Sequence, residues 1–142
     1  METDETIKKG FLRLERYAQN IPGGFHCCAE DPENGYPFAY VSDRFLEILG
    51  WEREEFAARF DNRYTALIHP DDLAAGLRYR NAENSATYAK NGDSIFRILG
   101  KNGYRWVTNA ANQVEWYGKG YIVGTITDIT PYMELREKLE QL

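Results

Sequence analysis

Two short stretches carry residue types that chemistry would need. His69-Pro70-Asp71-Asp72 sets an imidazole beside two carboxylates, and Cys27-Cys28 sets two thiols side by side. The first could be an acid–base pair or part of a metal cluster. Proline followed by acids is also how a helix begins, because proline is pre-set for the first position and carboxylates favour the positive end of the helix dipole. Capping is therefore the favoured reading of His69 to Asp72. The chain holds 2 histidines, His26 and His69, and no His or Cys pair at ligand spacing, so a protein-built zinc site is not expected. Adjacent cysteines rarely bridge, because the ring is strained. Reduced thiols that fill space are expected, with no cationic neighbour in sequence to activate either one. Phosphate-loop, nucleophile-elbow and His-Glu-x-x-His patterns are absent from the sequence.

The elements that must position these residues follow from periodicity. Ile7, Phe11, Leu14 and Ala18 recur at helical spacing and predict an amphipathic flanking helix over 1–20, ended by Pro22-Gly23-Gly24. Phe25–Ala29 and Phe38–Val41 read as a hairpin around the turn residues Asp31 to Gly35. Ser42 or Asp43 caps a helix carrying Phe45, Leu46, Ile48 and Leu49, which stops at Gly50. A short helix over Glu52 to Phe60 and a turn over Asn62 to Leu67 lead to His69-Pro70. A polar helix from Asp72 to about Lys90 follows, with Leu73, Leu77 and Tyr88 inward. Three strands close the order: Asp93–Gly100, Tyr104–Tyr117 and Gly120–Thr127, the first two joined through Asn102-Gly103. Strands flanking a helical insert give an α+β fold. A polar helix from Tyr132 to Leu142 leaves the last strand.

A chain of 142 residues predicts one domain with a core of its own. The net charge of -5 argues against nucleic acid as a partner. No apolar run reaches the length of a membrane span, and the N-terminus has no signal-peptide core. A cytoplasmic location without direct membrane contact is the expectation.

Five pieces, in order, resemble a PAS domain over about 21–130. They are Phe38 to Trp51, Glu54-Glu55-Phe56, Ile68 to Asp72, Lys101 to Val107, and Gly124 to Thr130. The resemblance implies a five-stranded antiparallel sheet in the order 2-1-5-4-3. Its concave face and the helices would enclose a space that some members fill with haem, flavin or a small ligand. It also implies a non-enzymatic sensory module, with the closing motif Asp128-Ile129-Thr130 as signal relay. The blue-light-sensing branch is similar at Ser42 to Glu47. That branch needs a cysteine before His69-Pro70, where this chain reads Asn62 to Leu67, and polar amides where it has Ile98, Val107 and Ile126. A haem sensor needs a histidine within Ala74 to Lys90, and there is none. Flavin and haem are therefore disfavoured, and the cofactor, if any, is left open.

Alternation puts Ile122, Gly124 and Ile126 on one strand face. That face is assigned to the pocket, together with Phe45, Leu49, Phe96, Ile98, Val107 and Asn109, of which Asn109 is the polar member. A packed core without ligand is the competing reading. Asp128 is suited to hold the exit turn by accepting hydrogen bonds, and Thr130 to cap the exit helix with Pro131 behind it. Tyr132, Leu135, Leu139 and Leu142, spaced 3, 4 and 3, form a seam for a parallel homodimer. The expected role is a module that regulates a C-terminal output domain of the histidine-kinase or diguanylate-cyclase kind. The alternative is a small α+β enzyme using His69 and Asp72.

Overall fold

Alternating β-branched and aromatic residues make five strands: β1 (Gly24–Ala29), β2 (Phe38–Val41), β3 (Ser94–Gly100), β4 (Gly103–Trp116) and β5 (Lys119–Asp128). In the computed structural model, residues 23–79, 81 and 94–142 are described, together with Glu5 and Lys9. The predicted helix over 1–20 lies outside these residues apart from Glu5 and Lys9. So does the stretch 82–90 predicted as part of the long helix, including Tyr88.

The strands form one antiparallel sheet in the order β2-β1-β5-β4-β3. The last strand in sequence is thus central, with Gly124 opposite His26 on one side and Ala111 on the other. The β4–β5 hairpin turns at Tyr117 and Gly118, both at positive φ. Its long arms carry the sheet from the core out to exposed Trp116.

One face of the sheet is covered by short helices. The first, α1 (Asp43–Leu49), begins at Ser42, whose Oγ accepts from Phe45 N and from Phe25 N. One hydroxyl therefore caps the helix and ties it to β1. The helix ends at Gly50, where the chain turns left-handed at φ 81. A reciprocal capping box between Glu52 and Glu55 starts α2 (Arg53–Arg59). After α3 (Tyr64–Leu67), a 3-10 turn (Pro70–Asp72) leads to α4 (Leu73–Gly76).

The helix predicted from Asp72 is interrupted after one turn. Leu77 closes it, and Arg78 and Tyr79 have no regular structure. The Tyr64 hydroxyl donates to the Gly76 carbonyl, which in a longer helix would serve the next turn. Glycine is also a weak helix former. Leu73, predicted inward, is exposed at 37%.

Between helices and sheet, Phe45, Leu49, Phe56, Phe60, Leu67, Phe96, Ile98, Val107 and Ile126 form the main core. Each fully buried aromatic or aliphatic side chain contributes about 1.5–3 kcal/mol. Cys27, Tyr40 and Tyr121 form a smaller buried group on the opposite face. The two cysteines are free and buried, and alternation sends them to opposite sides of β1. The exit helix, α5 (Thr130–Glu140), follows β5 with Ile129 as its cap residue.

Candidate functional site

The residues assigned to a pocket from alternation, Phe45, Leu49, Phe96, Ile98, Val107, Asn109, Ile122 and Ile126, are all buried. Gly124 lies on the same face, but its space is taken: a Cβ there would sit 2.7 Å from both Asn109 Oδ1 and His26 Nε2. The aromatic members pack ring to ring, Phe45 against Phe38 and Phe56. Ile98, Val107 and Ile126 offer only hydrocarbon where a flavin edge would need donors and acceptors, so these positions do not fit that group.

The polar centre of the site is a residue not singled out from sequence. His26, on β1, is 1% exposed, and its Nε2 lies 3.0 Å from Asn109 Oδ1 on β4. Oδ1 can only accept, so Nε2 carries the proton and Nδ1 is left as an acceptor. Cys28 Sγ stands 3.9 Å from that Nδ1. The Tyr64 ring stacks on the imidazole, with centroids 5.4 Å apart and planes 19° apart. Burial pushes the His26 pKa down to about 4, and the Asn109 hydrogen bond only partly opposes this. Burial, then the neighbouring Cys27, pushes the Cys28 thiol up. At neutral pH the relay Cys28–His26–Asn109 is therefore uncharged throughout.

A cavity of about 10 Å³ lies over this relay, walled by Tyr36, Tyr64, Gly76, Leu77, Tyr79 and Ala111 among others. It has room for about one water. Ser94 pairs with Asn109 across the β3–β4 register, and its buried hydroxyl has no hydrogen-bond partner among the described residues.

His69 and Asp72 lie away from this cavity. The His69 side chain caps its own turn, Nδ1 accepting from Asp71 N at 3.1 Å. Asp72 holds Arg97 in a bidentate pair, Oδ2 to Nε at 2.8 Å and Oδ1 to Nη2 at 2.9 Å, and also accepts from Arg97 N. Those hydrogen bonds, chiefly from the guanidinium, hold the Asp72 carboxyl below its usual range. The described residues contain no group of three or more His, Cys, Asp or Glu placed to hold a metal.

At the other end of β5 sits a polar joint. Asp128 Oδ2 accepts from Arg105 Nη2 at 2.7 Å and from Nε at 3.0 Å, while Oδ1 accepts from Thr130 N at 2.8 Å. Burial works to raise the Asp128 pKa, but the bonds from Thr130 and Arg105 outweigh it and hold the carboxyl low. Thr130 does not cap α5 as predicted. Its Oγ1 accepts from Trp106 N at 2.9 Å, while the Asp128 side chain takes the first helical N–H. Ile129 N donates to the Trp106 carbonyl, so Asp128, Ile129 and Thr130 all dock on β4. Beyond the joint, Tyr132, Leu135, Leu139 and Leu142 are all exposed.

A helix-covered antiparallel sheet in this order, with a buried polar centre and a helix leaving its central strand, defines the class of α+β domain to which this chain belongs. The chain belongs to the PAS fold family, which matches residues 38–126. Among solved structures, an RNA-binding Light-Oxygen-Voltage receptor is similar at a TM-score of 0.60 and 18% identity, over 94% of this chain and 36% of that one. This chain thus spans about a third of that receptor. A sensory box histidine kinase/response regulator from Burkholderia thailandensis is similar at 0.53 and 23% identity, over 92% and 99%. A PAS domain from a two-component sensor histidine kinase is similar at 0.54 and 14% identity, over 84% and 96%. At these identities the likeness is one of fold. No curated protein matches the sequence.

Proposed function

We propose that this PAS domain works as a switch whose buried site and exit helix are coupled through β5. It would regulate a C-terminal output domain of the histidine-kinase or diguanylate-cyclase kind. The observation that carries the reading is the continuity of the central strand. Gly124 lies against His26 and Asn109, and four residues on, about 13 Å away at strand rise, Asp128 grips Arg105 and the first turn of α5. Occupancy or repacking at the first point shifts the strand, and the joint converts that shift into a change of helix position.

The exposed seam from Tyr132 to Leu142 suits pairing with a second copy, which places the two output domains side by side. Solvation would otherwise fall on three leucines and a tyrosine at helical spacing.

The test grafts the chain onto a PAS-regulated kinase core in place of its own sensor. Asp128→Ala removes the carboxylate shared by Arg105 and Thr130 N. Because the pair is part-exposed, stability falls by only about 1–2 kcal/mol. Regulation of autophosphorylation is expected to disappear, leaving a fixed output level. Regulation indistinguishable from the parent graft would remove the joint from the mechanism.

A further inference from the structure

Arg97 on β3 and Trp106 on β4 stand opposite each other in the register, yet each directs its backbone groups elsewhere. Arg97 N donates to Asp72 Oδ2 at 2.8 Å, and the Arg97 carbonyl accepts from His69 N at 2.9 Å. Trp106 N donates to Thr130 Oγ1 at 2.9 Å, and the Trp106 carbonyl accepts from Ile129 N at 2.8 Å. This is the non-hydrogen-bonded kind of antiparallel pair, in which the two side chains come closest. One residue thus ties its backbone to the His69–Asp72 turn, the other to the exit joint. A side-chain contact joins the two halves: the Arg97 guanidinium carbon lies 5.0 Å from the centroid of the Trp106 ring. Phe96, Ile98 and Val107 alternate into the main core, so this contact lies on the sheet face away from His26.

The Asp72 carboxylate holds the guanidinium in that place. Its Oδ2 accepts from Nε at 2.8 Å and its Oδ1 from Nη2 at 2.9 Å, which fixes the tilt of the planar fork over the indole. The further bond from Arg97 N to the same carboxylate locks side chain and strand together. The pair is partly shielded, with side-chain exposures of 29% for Arg97 and 15% for Asp72. Resting on the reading that α5 carries the output, we propose that Asp72 is a positioning residue for the exit helix. Through Arg97 and Trp106 it sets where β4 presents the two backbone groups that hold Ile129 and Thr130. The joint thereby gains a second control point on the side of the helical insert, separate from the buried centre. From β3 to the joint this route runs across the strands, over two sheet spacings or about 10 Å, whereas the His26 route runs along β5. Without the carboxylate, the guanidinium leaves the indole for solvent and the Trp106 backbone loses its brace.

Amide hydrogen exchange of the whole chain separates positioning from general stabilisation. Asp72→Asn is nearly isosteric and removes the charge that holds the fork. It is expected to speed exchange of the Ile129 amide about tenfold more than that of Val123, in the middle of β5, because release of the joint is a local opening added to any change in global stability. Arg97→Lys keeps a positive charge for Asp72 but has no planar fork to lay on the indole. It should reproduce the effect at Ile129. Equal acceleration of Ile129 and Val123 in Asp72→Asn would make Asp72 a stabilising residue only and overturn the proposal. An Ile129 amide unchanged in Arg97→Lys would overturn the route through the stacked guanidinium. Exchange is read on the isolated chain, so its outcome is separate from that of the kinase graft: an unregulated graft counts against the sensory reading and leaves the exchange result standing.

Discussion

Gly124→Ala lowers the stability of the domain by about 3 kcal/mol or more. The added methyl group lands within 2.7 Å of both partners of the His26–Asn109 bond. Neither can step aside cheaply: His26 is stacked on Tyr64 and packed against Phe45, and Asn109 is fully buried. Overfilling a packed core costs about 1–3 kcal/mol, and a buried polar group left without its partner costs about 1–3 kcal/mol. Set against a typical total of about 5–15 kcal/mol, this is a large fraction. Urea unfolding should show a lower midpoint at unchanged slope. Thr127→Ala, at an exposed position on the same strand, should fall within about 0.5 kcal/mol of wild type. If Gly124→Ala matched that control, His26 and Asn109 would have room that the packing denies them.

Acid should weaken the fold before Asp72 and Asp128 titrate. His26 has a pKa of about 4 in the folded protein against 6.5 when unfolded. Between those values the unfolded chain binds the extra proton, so stability is complete above pH 6.5 and is lost as pH falls towards 4. From pH 7 to pH 5 this amounts to about 2 kcal/mol. Asp72 and Asp128 both have lowered pKa values, so their contribution is lost only at more acid pH. The His26→Gln variant keeps an amide able to reach Asn109 but cannot titrate. Its stability should change little between pH 7 and pH 5. An equal slope in wild type and variant would mean that another group carries the effect.

Much of the fold was legible because it rests on local rules. Ser42 before Phe45, Gly50 after Leu49 and the alternation through Ile122, Gly124 and Ile126 each specify one local geometry, and the sheet order follows from the family pattern. The site was half legible. Alternation identified Asn109 and the apolar wall, since strand faces are set by period two. His26 was missed because its meaning depends on Asn109, 83 residues away, and on Gly124, which makes room for both. Its place beside Cys28 on a short apolar strand was the one signal available. The early end of α4 was hidden for the same kind of reason. Gly76 continues a helical pattern on paper, but Tyr64, from an earlier helix, takes its carbonyl. Thr130 looked like a cap in sequence, and only the β4 backbone at Trp106 shows why its hydroxyl is used elsewhere.

The central claim is that the buried polar centre and the exit joint move together through β5. It is tested most directly by amide and side-chain NMR of the chain carrying Asn109→Ser. The coupled account predicts shifts along β5 that reach the Thr130 amide and the Arg105 Nε–H, two of the three donors gripping Asp128. Changes confined to the neighbours of His26, with Thr130 and Arg105 unmoved, would contradict it.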